Sequence, residues 1–199
     1  MKKLKSRITV FEDILNYYKD FPKEGITFID IIPTLRDREK FAMLIDEIAA
    51  YTTAPNVATV EARGFLFAAP LLIRPGTGVE NVIPIRKKGK LPFSEGDLVS
   101  VEIVKEYGHD NVFFRKSDIA AGKVEDGVMW VSVLDDVLAT GGTAKGIADA
   151  LNAVTVNKDG KEYPVRVKEF VFLCEIDGLP GRALLESIAP VHSIMHVTE

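Results

Sequence analysis

Apolar positions recur along this chain with two different periods, and the switches between them set the expected order of elements. Phe11, Ile14, Leu15 and Tyr18 have helical spacing, so 11–18 reads as a short helix, ended by Asp20-Phe21-Pro22-Lys23-Glu24-Gly25. Phe41, Leu44, Ile45 and Ile48 give an amphipathic helix over 38–51. Residues 57–62 form a short strand, and 65–73 an apolar helix that Pro70 kinks or ends. Residues 82–86 are a further strand. Residues 98–104 alternate and pair with 111–115 around Gly108-His109-Asp110 as a hairpin or flap. The run 128–134 is a strand, and Ala144, Ile147, Ala148 and Leu151 mark a helix over 144–154. A polar turn at 157–162 precedes a long strand within 165–176. Strands alternating with helices imply an α/β fold, with a central, mostly parallel sheet flanked by helices. No repeat, low-complexity tract or linker divides the 199 residues, so one domain spanning 1–199 is expected. In such sheets ligands bind beyond the carboxyl ends of the strands.

The richest chemistry lies just there. Val131-Ser132-Val133-Leu134 runs into Asp135-Asp136, then into Ala139-Thr140-Gly141-Gly142-Thr143, where the helix begins. A helix start offers unpaired N–H groups and partial positive charge to a phosphate. Glycines let the backbone approach the ligand, and the threonine hydroxyls add donors. No lysine follows the glycines, as it would in a nucleotide-binding P-loop. Two adjacent acids would repel a polyphosphate unless a sugar diol or a metal ion mediates. The pattern therefore points to a phosphorylated sugar, with hydroxyls on Asp135 and Asp136 and the 5′-phosphate in the loop. Asp-Asp and Gly-Gly taken alone fit an ordinary acidic strand-to-helix turn equally well.

Composition narrows the classes. The chain is 47% hydrophobic and 27% charged, ordinary for a globular protein. A net charge of −4 gives no electrostatic case for nucleic acid or acidic membranes. One cysteine, Cys174, cannot form an internal disulfide and reads as a buried thiol of a reducing compartment. No apolar run approaches the roughly 18 residues of a membrane span, and the basic N-terminus is not followed by a signal-like segment. A cytoplasmic protein is expected. His192 and His196 are four residues apart, but no acid or cysteine completes a set close by, so no metal site is expected there.

Further clusters extend the picture. Glu61-Ala62-Arg63-Gly64-Phe65 follows a strand and opens a helix, where an arginine could meet an anion or lie on the surface. Arg86-Lys87-Lys88-Gly89-Lys90 puts four cations in five residues, which by itself also describes a solvated basic face. Together with Lys105-Glu106-Tyr107 on the flap and Phe21 to Asp30 near the start, these segments resemble, in one order, the adenine-specific branch of the type I phosphoribosyltransferases. The resemblance covers roughly residues 11–186. It implies the type I fold, with a small hood (about 20–35) and a flexible β-hairpin lid (about 88–115). It implies transfer of phosphoribose from 5-phosphoribosyl-1-pyrophosphate (PRPP) to adenine, giving AMP and pyrophosphate, with Mg²⁺ carried by the pyrophosphate, in a homodimer.

The resemblance also carries roles onto matching positions. Asp135 and Asp136 become ribose contacts, and Ala139, Thr140, Gly141, Gly142 and Thr143 hold the 5-phosphate. Arg63, Gly64, Arg86, Lys87 and Lys90 take the pyrophosphate, backbone amides of Glu61 to Phe65 assisting. Glu106 moves a proton at purine N7, and Tyr107 helps close the site. Phe28 stacks on the base, the Thr27 backbone reads its amine and N1, and Ile176 covers its far side. Without the resemblance, Phe28 and Ile176 read as core. The polar insert 157–163 and residues 93–98 depart from the family pattern. Two rivals share the sugar-phosphate loop. One is a phosphoribosyltransferase for hypoxanthine, guanine or xanthine. The other is a non-catalytic PRPP-binding regulator, which would need a nucleic-acid surface or an added helix-turn-helix, neither of which this sequence shows, and would have no need of Glu106.

Overall fold

The computed structural model describes residues 11, 15–21, 23–24, 27–104 and 109–198. A small two-stranded sheet pairs β1 (Asn16–Tyr18) antiparallel with β2 (Phe28–Asp30). This corrects the end of the helix expected over 11–18: Phe11 is helical, 12–14 lie outside the described residues, and Asn16–Tyr18 is strand. Apolar spacing there is satisfied locally by a helix, but Asn16, Tyr17 and Tyr18 find backbone partners in Asp30, Ile29 and Phe28, a pairing that periodicity cannot show. The other elements follow closely. Helix α1 (Arg38–Tyr51) starts where Asp37 accepts hydrogen bonds from the amides of Glu39 and Lys40, and it buries Leu44, Ile45 and Ile48.

Then come β3 (Asn56–Val60), α2 (Arg63–Ala68) with a 3-10 turn over Ala69–Leu72, and β4 (Asn81–Lys87). Pro70 sits in the first turn of the 3-10 segment, so the chain breaks where Pro70 was expected to break it. The hairpin is β5 (Leu98–Val104) against β6 (His109–Arg115), followed by the short α3 (Lys116–Ala120). β7 (Met129–Leu138) and α4 (Gly142–Ala153) flank the loop expected to hold a phosphate. β8 (Thr155–Lys158), β9 (Lys161–Ile176), α5 (Gly181–Glu186) and β10 (Val191–Val197) complete the described chain.

The main sheet has the order β10-β9-β7-β3-β4-β6-β5, with β8 folded back on β9. β10, β9, β7, β3 and β4 run parallel, and the β5–β6 hairpin joins antiparallel at the β4 edge. The mostly parallel sheet is thus as expected. The polar turn at 157–162 is instead the tip of the β8–β9 hairpin. Asp159 and Gly160 both take positive φ, 54° and 79°, which an Asp-Gly turn supplies readily.

Both sheet faces are apolar, so central strands read as continuous hydrophobic runs. Val131, Val133, Phe170 and Phe172 pack on one face with Ile147 and Leu151 of α4. Leu134, Val171 and Leu173 pack on the other with Leu44 and Ile48 of α1 and Phe67 of α2. Cys174 is buried in this second core, where burial, and then nearby acids, push its thiol up to about 12. No described helix is long and apolar enough to cross a membrane.

Candidate active site

The carboxyl ends of β3, β4 and β7 converge on one cavity of about 320 Å³. Glu61 and Arg63 enter from the β3–α2 turn, Lys87 from the end of β4, Asp135 and Asp136 from β7, and Thr143 from α4. Ile103 and Val112 of the hairpin add an apolar wall. Residues expected to hold ribose, pyrophosphate and 5-phosphate are therefore brought together from segments far apart in the chain. β7 runs four residues past the expected end, so both acids lie in the strand, not in the loop, and Asp135 pairs with Phe172 of β9.

The acids are held under electrostatic tension. Asp136 is buried, and the Asp135 carboxylate accepts the Asp136 amide at 2.9 Å. Burial, and then the neighbouring Asp136 charge, push the Asp135 carboxyl up to about 8. Asp136 Oδ2 lies 2.7 Å from Arg63 Nε, yet it makes no well-aligned hydrogen bond. It is thus charge-paired and still able to accept from a hydroxyl or a metal-bound water. Arg63 reaches further, donating to the Ile29 carbonyl at 3.3 Å and lying 5.1 Å from the Phe28 ring centre. One guanidinium therefore links the expected pyrophosphate loop, ribose acid and base hood.

The loop expected to hold the 5-phosphate has a backbone suited to an anion. Gly141 takes φ 78° at the start of α4, and no side chain caps that helix. Its first N–H groups therefore face the loop without an internal acceptor. A Cβ at Gly141 would sit 3.0 Å from Gly181 Cα, so both φ and space demand glycine. Gly141→Ala is expected to cost about 1–2 kcal/mol of stability from the left-handed φ. It should also weaken ribose 5-phosphate binding, as thermal unfolding with and without that ligand would show. Gly64 is needed for another reason. A Cβ there would fall 2.2 Å from Thr59 Oγ1, so glycine lets α2 start against β3 and beside Asp135.

A second cavity of about 580 Å³ lies between the small sheet and the end of β9. Thr27, Ile29 and Ile176 line it, as do Tyr17 and His196. It unites two of the three expected base contacts. Phe28 is half-buried and meets Phe21 edge-on at 5.2 Å between ring centres. Arg86 and Lys90 do not line the first cavity: Arg86 pairs with Glu61, and Lys90 is exposed in the turn after β4. Glu106 and Tyr107 lie outside the described residues.

No protein-family model matches the chain. Individual relatives do. The chain is 38% identical over 179 residues to the adenine phosphoribosyltransferase of Maridesulfovibrio salexigens, covering 88% of this chain and 93% of that one. It is 36% identical over 178 residues to the enzyme of Malacoplasma penetrans, covering 86% and 95%. The chain belongs to the adenine phosphoribosyltransferase family. Among solved structures, adenine phosphoribosyltransferase from Thermoanaerobacter pseudethanolicus superposes with a TM-score of 0.76 at 33% identity, over 96% of this chain and 99% of that one. The Saccharomyces cerevisiae enzyme, complexed with an imino-altritol bisphosphate and adenine, gives 0.72 at 29%, over 94% and 97%.

Two features of this adenine phosphoribosyltransferase-family site went unread in the sequence. The Glu61 carboxylate lines the cavity and binds Arg86 Nε at 2.5 Å. Only the acid opening Glu61-Ala62-Arg63-Gly64 hinted at it. The expectation that no acid lies close to His196 is also wrong. β9–β10 pairing places Glu175 opposite His196, whose Nδ1 is 2.9 Å from Asp177 Oδ1 and 4.0 Å from Glu175 Oε2. Glu175 is already engaged by Arg182 and Ser193. Burial raises its carboxyl pKa, but the Arg182 and Ser193 hydrogen bonds outweigh burial, and the net shift is downward. That arrangement is an ion-pair network tying α5 to the sheet.

Proposed function

We propose that the chain joins adenine to the phosphoribosyl group of PRPP across the two cavities described above, giving AMP and pyrophosphate. The observation that carries this reading is the convergence of Arg63, Lys87, Asp135, Asp136 and Thr143 on one cavity beside a hood bearing Thr27 and Phe28. In it, Asp135 and Asp136 accept the ribose hydroxyls. Residues Ala139 to Thr143 hold the 5-phosphate on the N-terminus of α4. Arg63, Arg86, Lys87 and Lys90 stabilise the departing pyrophosphate, with Gly64 keeping the backbone close.

N9 of adenine attacks C1′ as the C1′–O bond to pyrophosphate breaks. Pyrophosphate keeps the bonding electron pair, and the base gives up a proton. The transition state gathers positive charge on the ribose and negative charge on the leaving group, so fixed cations and excluded water lower the barrier. The hairpin that supplies Ile103 and Val112 is the lid. Glu106, between β5 and β6 in the sequence, takes the proton-transfer role at N7, and Tyr107 the closing one. Thr27, Phe28 and Ile176 enclose the base.

The donor set fits Mg²⁺ bound with the pyrophosphate. Two carboxylates stand at the ribose end, and buried Asp136 Oδ2 lacks an aligned hydrogen bond, which suits a metal-bound water or hydroxyl. The ion's chemistry would be charge neutralisation of the diphosphate. A homodimer fits the exposed Leu66, Leu72 and Ile73 on and after α2; Ile73 is 85% exposed.

Turnover of PRPP with Mg²⁺ and a panel of adenine, hypoxanthine, guanine, xanthine, uracil and orotate tests the reading. AMP formation with adenine, and little product from 6-oxopurines, is expected. Turnover with a 6-oxopurine alone would refute the base assignment. Binding of PRPP without turnover of any base would make the chain a sensor.

A further inference from the structure

We infer that Glu61 is a positioning residue that aims Arg86 at the leaving pyrophosphate, an inference that rests on the pyrophosphate reading above. A carboxylate in an anion cavity raises the cost of binding pyrophosphate unless it does something for the cations. Glu61 Oε2 binds Arg86 Nε at 2.5 Å, and Oε1 accepts the Lys87 amide at 3.1 Å. The Glu61 amide in turn donates to the Ile85 carbonyl at 2.9 Å. Three hydrogen bonds thus tie the β3–α2 turn, which carries Arg63, to the end of β4, which carries Arg86 and Lys87.

The grip on Arg86 has a direction. An acid on Nε leaves the outer edge of a guanidinium, with its terminal nitrogens, for a second anion, and that edge matches phosphate oxygens in a two-pronged contact. The Phe65 ring, 6.0 Å from the guanidinium carbon, packs near the same group. The Glu61 side chain is 12% exposed and that of Arg86 34%, so the anchoring acid is largely buried while the cation stays partly open to solvent and to an incoming anion. Burial raises the Glu61 pKa, but the Arg86 hydrogen bond, the Lys87 amide and both cations outweigh it. The net shift is downward, and the group is an anion at neutral pH.

The test compares Glu61→Ala, Glu61→Gln, Arg86→Ala and the double variant Glu61→Ala/Arg86→Ala. The readouts are calorimetric affinity for Mg²⁺-pyrophosphate, KM for PRPP and KM for adenine. Glu61→Ala should weaken pyrophosphate and raise KM for PRPP between about tenfold and a hundredfold, leaving KM for adenine unchanged. Glu61→Gln keeps the shape and one acceptor oxygen, so it should recover part of the loss, and it serves if the alanine variant folds poorly. In the Arg86→Ala background, Glu61→Ala should add little. Pyrophosphate affinity that is unchanged or tighter in both Glu61 variants, or additive losses in the double variant, would overturn the inference while Arg86 kept its role. Unchanged affinity in Arg86→Ala would instead overturn the pyrophosphate reading itself.

Discussion

Asp135→Asn is expected to make the empty enzyme harder to unfold at pH 8 while weakening its hold on PRPP. The two effects have one cause. In the folded chain, burial and the adjacent Asp136 raise the Asp135 carboxyl from 3.8 to about 8. Between those values the folded protein holds a proton that the unfolded chain has released. Wild-type stability therefore falls as pH rises through that window. Asparagine keeps an oxygen for the Asp136 amide and removes the titrating charge. The melting temperature of the variant should exceed that of wild type near pH 8, and the gap should close toward pH 4.

PRPP binding should suffer, because hydrogen bonds from a diol to a charged acceptor contribute about 1.5–3 kcal/mol. An affinity loss of roughly ten- to a hundredfold follows. Wild-type binding near neutral pH should also release a proton from the acid pair, seen as a dependence of binding heat on the buffer's ionisation enthalpy. A stability gap independent of pH, or unchanged PRPP affinity, would contradict the assignment of Asp135. The acid pair is thus a site that costs stability when empty, which accounts for two adjacent carboxylates ending an otherwise apolar strand.

What could be read from the chain alone divides along the range of the interactions. α1 and α4 follow from the spacing of Leu44, Ile45 and Ile48 and of Ala144, Ile147, Ala148 and Leu151, with the Asp37 cap of α1 and the Gly141 start of α4 both local in sequence. β7 and the loop after it were legible because strand, acids, glycines and helix adjoin. β1 was not, since its pairing with β2 forms between segments separated by the hood turn. The β8–β9 hairpin is legible in principle from Asp159-Gly160 between Thr155-Val156-Asn157 and Glu162-Tyr163, but the polarity of that stretch by itself signals only a turn. Within the site, the sequence motifs point to candidate residues but not to the contacts among them. Glu61 meets Arg86, and Arg63 meets Asp136 and Ile29, only because parallel strands set their ends side by side.

Arg63→Ala is expected to have the largest effect on catalysis, and the arrangement around Arg63 allows its two roles to be separated. The guanidinium lies 2.7 Å from Asp136 and also reaches the Ile29 carbonyl and the Phe28 ring. Its removal withdraws a cation from the leaving group, which should lower kcat/KM for PRPP by about 10²–10³. It also leaves Asp136, 5% exposed, without its counter-charge. That should destabilise the fold by about 1–3 kcal/mol. Arg63 is itself one-third exposed, so solvent softens the loss and the lower part of that range is favoured. Lysine should rescue poorly, because a point charge cannot span Asp136, the hood carbonyl and an anion at once. Asp136→Asn, combined with Arg63→Ala, removes the uncompensated charge. It should restore the melting temperature and leave turnover low. If that double variant recovered turnover along with stability, Arg63 would be a structural counter-ion and not a pyrophosphate ligand. If KM for adenine rose in Arg63→Ala together with KM for PRPP, the link through Phe28 and Ile29 would couple the two halves of the site, since one side chain holds both.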